Sequence, residues 1–170
     1  MIKTEPALEF REAQPCIAIA ISVPMKEWGR ANALIPEILG WMSQHGVAPA
    51  GPLFYRYHVI GSMEEPFDLE IGFPVAQAVR GDDRVKPGVI PDGIYATMVH
   101  HGHPDSLHKT CAALEAWGAS EGVTFARGDA DGRITWSGRY EFYLSDPAVA
   151  PDLNEWVTEV AYLTDGGAFG

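Results

Sequence analysis

Leu39-Gly40-Trp41-Met42-Ser43-Gln44-His45-Gly46-Val47 and Glu115-Ala116-Trp117-Gly118-Ala119-Ser120-Glu121-Gly122-Val123 are two versions of one helix ending. Trp41, Gly46 and Val47 recur as Trp117, Gly122 and Val123, each displaced by 76 positions (117 − 41, 122 − 46, 123 − 47). The same displacement carries Ile19 to Tyr95 and Val23 to Val99, so the apolar run before the first helix has a counterpart before the second. Farther on, residues 67 to 71 best match residues 156 to 160 at a displacement of 89, which places an insertion of 13 (89 − 76) in the second copy. Two similar units predict a pseudo-symmetric arrangement with a seam between its halves where a small molecule has room to sit.

Around the repeat, strands alternate with one helix per unit. Residues 16 to 23, CIAIAISV, are rich in β-branched side chains and stop at Pro24, which reads as a strand. Leu34, Ile35, Ile38, Leu39, Trp41 and Met42 recur at helical spacing and predict a helix over about 30 to 44 with Gly46 at its C-terminal cap. GPLFYRYHVI and FDLEIGFPV follow as two strands, completing a βαββ unit over about 15 to 75. Residues 81 to 92, charged and rich in Gly and Pro, read as a linker. The second unit, about 93 to 163, opens with a strand at 94 to 99 and turns through HGHP. Asp105 is the expected N-cap of a helix that runs to about 120 and buries Leu107, Cys111, Leu114 and Trp117. Residues 133 to 144 and 155 to 163 supply the last two strands, with a turn at Ser145-Asp146-Pro147. The expected fold is α+β: a tandem βαββ repeat forming one pseudo-two-fold, mainly antiparallel sheet with two main helices, in a single domain over 1 to 170.

Composition narrows the partners. Twelve basic against 23 acidic residues give a formal charge of −11 and a pI near 4.8, which disfavours nucleic acid and anionic membrane surfaces and favours organic cations. The N-terminus has no apolar core of signal-peptide type, and the run from 16 to 23 is too short to cross a bilayer, so a cytoplasmic location is expected. Cys16 and Cys111 show no CxxC spacing and read as buried free thiols. His100, His101, His103 and His108 lack the register of an HExxH helix, so a turn with partly exposed imidazoles is expected and no metal site. There is no P-loop, no GxGxxG after a strand and no GxSxG elbow, so no cofactor is expected.

Strand alternation selects the candidate site. Along 134 to 144 it puts Ile134, Trp136, Tyr140, Phe142 and Leu144 on one face and Thr135, Ser137, Arg139, Glu141 and Tyr143 on the other. Glu141 is thus flanked by aromatic neighbours. Glu159 shares its face with Val157, Ala161 and Leu163, where a carboxylate needs a partner, and Glu70 is its counterpart in the first unit. The bland alternative is that these glutamates pair with a cross-strand cation, Arg139 or Arg56. Trp41 and Trp117 are assigned to helix packing. Phe54, Tyr55, Tyr57, Tyr95, Trp136, Tyr143 and Trp156 lie on strands and are candidates for lining a cleft. Aromatic walls closed by a carboxylate suit a flat, delocalised cation.

The segments GPLFYRY, LEIGFPV, PDGIYATMVHHG, YEFYLSDP and WVTEVAYL, taken in that order, resemble a GyrI-like small-molecule-binding domain, which also forms the effector-binding half of bacterial multidrug-sensing activators of the Rob and BmrR type. The resemblance implies a pocket in which a glutamate attracts hydrophobic cations, and Glu141 of YEFY matches that acid. The ligand-binding set is then Glu141, Tyr143, Trp136, Trp156, Tyr95, Phe54, Tyr55 and Glu159. Some stand-alone relatives are hydrolases that open cyclopropane rings in DNA-alkylating natural products, and on that alternative Glu141 and Glu159 would be the catalytic pair. Other relatives bind gyrase, which makes a protein partner the third reading.

Overall fold

The computed structural model describes residues 5–145 and 151–166. In chain order its strands and helices are β1 (Ala7–Arg11), β2 (Gln14–Val23), α1 (Gly29–Asn32), α2 (Leu34–Gln44), β3 (Leu53–Val59), β4 (Phe67–Pro74), β5 (Lys86–Ile90), β6 (Gly93–His101), α3 (Leu107–Ser120), β7 (Arg127–Ala130), β8 (Arg133–Trp136), β9 (Arg139–Tyr143) and β10 (Val157–Leu163). Eight strands form one antiparallel sheet in the order β1-β6-β10-β9-β3-β4-β2-β5. The fold is α+β, with two main helices on a large sheet.

That sheet cannot be flat. β1 ends at Arg11 and β2 begins at Gln14, yet they are the first and seventh strands across. Six strand spacings of about 4.8 Å make roughly 29 Å, whereas three Cα steps of about 3.8 Å reach roughly 11 Å. β5 and β6 set the same constraint, since Ile90 and Gly93 join the eighth strand to the second. The sheet therefore curls until its edges approach. Inside the curl, Cys16, Ala18, Phe54, Ile90, Tyr95, Tyr140, Phe142 and Ala161, drawn from six strands, close into one buried cluster.

The helices cover the outer face. α2 buries Leu34, Ile38 and Met42 at helical spacing over β2 and β4, and α3 buries Leu107, Cys111, Leu114 and Gly118 over β6. Each fully buried large apolar side chain contributes about 1.5–3 kcal/mol. The two helix ends that opened the sequence reading are one motif. Val47 N–H bonds Met42 O at 2.9 Å and Val123 N–H bonds Gly118 O at 2.8 Å, with Gly46 and Gly122 left-handed at φ +65° and +73°.

Strand order is palindromic about the β9–β3 pair, and the ladders fix the equivalence. A displacement of 86 (141 − 55) carries Tyr55 to Glu141 and Tyr57 to Tyr143, and a displacement of 89 (159 − 70) carries Glu70 to Glu159. The pair Arg56 and Glu70 then maps onto the pair Phe142 and Glu159. The insertion of 13 divides into 10 residues before β9 (86 − 76), the length of the β7–β8 hairpin from 127 to 136, and three (89 − 86) between β9 and β10. The first strands correspond at 79 (99 − 20), because Ala20 and Val99 pair with the equivalent residues Glu70 and Glu159, and not at the expected 76.

Other expectations change. The helix expected over 30 to 44 is broken at Ala33, because Pro36 has no N–H to give the Asn32 carbonyl. The stretch 81 to 92 contributes β5, paired to β2, and the N-terminal segment contributes β1, paired to β6. The strand expected over 133 to 144 is split at Ser137-Gly138, where a Cβ on Gly138 would lie 2.8 Å from Leu163 Cβ. Asp105 is not the helix N-cap; Pro104–Ser106 form a 3-10 turn ahead of α3, and His103 Nδ1 accepts from Asp105 N–H at 3.1 Å. Of the expected turn at Ser145-Asp146-Pro147, the last two residues lie outside the described residues.

Close strand packing yields a paired prediction. A Cβ at Gly72 would sit 2.0 Å from the Ile17 carbonyl oxygen, which is backbone and cannot turn aside, whereas Gly40 on α2 meets nothing within 4 Å. Gly72→Ala should destabilise by about 1–3 kcal/mol and Gly40→Ala should stabilise by about 0.5–1 kcal/mol, read as opposite shifts of the urea midpoint.

Candidate functional site

β3 and β9 meet at the centre of the sheet, between the strands that α2 and α3 cover. On the helix side of this seam lie Tyr55 and Tyr57 from β3 and Glu141 and Tyr143 from β9, with Tyr55 directly opposite Glu141. Both tyrosine hydroxyls converge on one carboxylate oxygen. Tyr57 Oη donates to Glu141 Oε1 at 2.9 Å and Tyr143 Oη donates to the same atom at 2.8 Å. Burial raises the Glu141 carboxyl above its ordinary range, against the lowering effect of the two tyrosine bonds and the more distant Arg139. Burial and the Glu141 charge push both tyrosines up in turn, so they remain protonated donors.

No cation neutralises this carboxylate: among the described residues no Lys, Arg or His forms an ion pair with it. Arg139 faces Glu115 at 3.6 Å, with its guanidinium 4.5 Å above the rings of both Trp136 and Tyr162. Arg56 lies on the inner face, where it donates to Ser137 O at 2.7 Å and covers Tyr140. The other strand glutamates differ. Glu159 accepts Arg11 at 2.9 Å, and Glu70 pairs with His58 at 2.5 Å, a bond that lowers its carboxyl.

The aromatic surround is partly as expected. Tyr143 meets Trp156 edge to face at 6.3 Å and Tyr55 at 5.2 Å, so Glu141, Tyr143, Tyr55 and Trp156 come together. Phe54, Tyr95 and Glu159 do not join them. Ladder register puts all three on the inner face of the curl, with the sheet between them and Glu141. Trp136 is buried under α3 against Phe125 and Tyr162, because the Ser137-Gly138 bend takes it out of the alternation it would share with Tyr140. Sequence reasoning missed Trp28, which sits on Tyr55, Tyr57 and Phe67, and Asn32, whose Oδ1 accepts from Tyr55 Oη at 2.7 Å. Their four-residue spacing was the available signal.

Two other features have local explanations. An open basin of about 490 Å³ lies beside His58, Asp68 and Glu70, but its polar groups already satisfy one another, Ser22 donating to Asp68 at 2.8 Å and His58 bonding Glu70. Glu141 is the candidate instead, a carboxylate with aromatic neighbours and no ion-pair partner among the described residues. His100 is a buried histidine tied to Thr110 Oγ1 at 2.7 Å and His103 O at 3.1 Å, rather than an exposed member of a turn.

This chain belongs to the GyrI-like small-molecule-binding domain family, which matches residues 4–162. Among solved structures it resembles the C-terminal domain of EcmrR, at 21% identity and a TM-score of 0.77 over 97% of this chain and 99% of that one. In the EcmrR–DNA complex it matches at 21% identity and a TM-score of 0.79, covering 94% of this chain but 57% of that one, so it spans little more than half of that longer chain. It also resembles SAV2435 bound to tetraphenylphosphonium (10% identity, TM-score 0.58, 96% and 95% covered). A hydrolase encoded by lin2189 from Listeria innocua is similar too (16% identity, TM-score 0.60, 95% and 92% covered). No curated protein matches the chain in sequence. No helix among the described residues is long and apolar enough to cross a membrane.

The Glu141 environment sets a sign for stability. A carboxyl whose folded pKa is raised binds its proton more tightly folded than unfolded, so its contribution is fully present below the ordinary carboxylate range and is lost as pH rises through the folded value. Glu141→Gln, which keeps an acceptor for the two tyrosines, should exceed wild type near pH 8 by about 1 kcal/mol, or about 2–4 °C in Tm. The gain should vanish near pH 4. Calorimetric melts of both proteins across that range measure it.

Proposed function

We propose that this GyrI-like domain binds bulky or flat lipophilic cations at the seam between its two units, with Glu141 supplying the charge and Tyr55, Tyr57, Tyr143 and Trp156 the apolar walls. The observation that carries the reading is a recessed carboxylate held by two tyrosine donors and in no ion pair with a Lys, Arg or His among the described residues. A ligand cation would supply the missing counter-charge, and aromatic faces would add cation–π attraction. The formal charge of −11 favours encounter with cations at long range. A structural relative bound to tetraphenylphosphonium is consistent with this ligand class.

A second reading draws on the same carboxyl. Held toward its protonated form, Glu141 could act as a general acid on a strained electrophilic ligand. Glu159 could not assist on the same molecule, since it faces the other side of the sheet and is paired to Arg11. Mass analysis of a cyclopropane-bearing alkylator after incubation separates the two: unchanged ligand leaves binding alone, and product that disappears with Glu141→Gln establishes turnover.

For binding, Glu141→Gln should weaken a lipophilic cation by about 1–3 kcal/mol, roughly 5- to 150-fold in Kd, and leave a neutral molecule of the same shape within about twofold. Calorimetric titration at two ionic strengths is the measurement, because salt screens long-range steering more than contact pairing. Equal affinities of wild type for matched cationic and anionic dyes would sink the charge argument.

A further inference from the structure

The direction of each hydrogen bond around Glu141 limits what a ligand there can bring. A phenol has one proton to donate. Tyr57 Oη gives its proton to Glu141 Oε1 at 2.9 Å, Tyr143 Oη gives its own to the same atom at 2.8 Å, and Tyr55 Oη donates to Asn32 Oδ1 at 2.7 Å. The other carboxylate oxygen, Oε2, accepts no hydrogen bond among the described residues and is not one of the fully enclosed polar atoms. Glu141 and Tyr143 are half-buried, so a ligand on the outer face of the sheet has access to both.

With Glu141 ionised, Tyr55, Tyr57, Glu141 and Tyr143 offer a ligand lone pairs and no proton. Arg139 does not change that. Its guanidinium faces Glu115 at 3.6 Å and the rings of Trp136 and Tyr162, and it donates no hydrogen bond to Glu141. Thr158, directly across from Tyr143, keeps an uncommitted hydroxyl, but the residue is 0% exposed and shows nothing to the outer face. Burial favours the protonated carboxyl in the empty site, and a cation that donates to Oε2 stabilises the ionised form instead. A carboxylate oxygen covered by a ligand that has no donor loses the hydrogen bonds water gave it and gains none.

We propose that the site selects cations by their N–H groups: its ligands are protonated lipophilic amines, amidines or guanidines that donate to Glu141 Oε2 and to the Tyr143 hydroxyl oxygen, in preference to quaternary cations of the same body and charge. The proposal rests on the binding reading above and narrows it. Charge alone draws both classes equally. Ring faces alone favour the quaternary class, because each N-methyl group adds apolar surface and aromatic cages recognise methylated ammonium heads. An unfilled acceptor is what reverses that order. A ligand that turns lone pairs toward Oε2 leaves both partners without a proton, so neutral acceptors and anions are excluded by the same geometry.

A methylation series on one flat aromatic body tests this, since the two accounts predict opposite signs. The probes are 1-pyrenylmethylammonium and its N-methyl, N,N-dimethyl and N,N,N-trimethyl derivatives, all singly charged at pH 7, titrated by pyrene fluorescence against wild type and Glu141→Gln. In wild type Kd should rise along the series, about tenfold or more from the primary ammonium to the trimethyl compound. Glu141→Gln puts an amide in place of the carboxylate, so an N–H2 donor replaces one acceptor oxygen. It should weaken every member, the primary ammonium most, and flatten or invert the series. A wild-type Kd that is constant or falls with methylation would overturn donor selection, and if Glu141→Gln still weakened every member, the binding site itself would stand. A rising series with the same slope in Glu141→Gln would remove Oε2 as its cause and overturn the proposal too. Binding of the whole series unaffected by Glu141→Gln, or no binding at all, would overturn both the proposal and the reading beneath it. Circular dichroism of the variant confirms that folded proteins are compared.

Discussion

Two short links, Arg11 to Gln14 and Ile90 to Gly93, each tie an edge strand to the strand one place in from the opposite edge, and the architecture follows from that constraint. The sheet must curl, the inner face must be filled by its own aromatics, and both helices must pack outside. Edge strands are ordinarily a liability for uncontrolled pairing. Here curling brings the two edges toward each other, and each edge strand is made from the segment that leads into the unit it does not pair with. The ligand position proposed above is the outer face of β3 and β9, between the strands that α2 and α3 cover.

Glu141 is the charged centre of the proposed site. A carboxylate removed from water without a cation costs stability, and two tyrosine bonds offset only part of that. Residues of this kind are retained when the cost is repaid on binding, which is why the same substitution should stabilise the fold and weaken the complex. Glu159 and Glu70 face comparable surroundings on the inner side, and each has a cation or imidazole within hydrogen-bond reach. Strand burial alone does not distinguish these three glutamates. An ion-pair partner does: Glu159 and Glu70 each have one, and Glu141 has none among the described residues.

Helix ends, the repeat and the central strands were legible because their causes are local: a left-handed glycine, an apolar period, a β-branched run. Glu141 and Tyr143 followed from alternation along one unbroken strand. Trp136 did not, because alternation holds only to the bend at Ser137-Gly138, where Leu163, far along the chain, leaves no room for a side chain on residue 138. The β7–β8 hairpin could have been found from Asp131-Gly132, whose positive φ values of 54° and 77° suit a two-residue turn. Glu159 was read on the correct strand, but which strand face turns inward is set by the curl, and the register puts Glu159 on the inner face, away from Glu141. β1 and β5 escaped for the same reason: short polar segments become strands only where a distant neighbour offers its edge.

The register across the seam sets Tyr55 opposite Glu141, and the pseudo-two-fold relates those two positions to each other. In a true homodimer of the repeat, a residue on that axis would face its own copy, so a glutamate there would face a glutamate. Two carboxylates so close cannot both ionise readily, and one would hold a proton against the other. Carrying both units in one chain removes that restriction: one half can keep a neutral phenol at the axis while the other keeps the charge. Duplication followed by divergence at one ladder position thus converts a symmetric scaffold into a polarised one, with a single anionic pole at its centre.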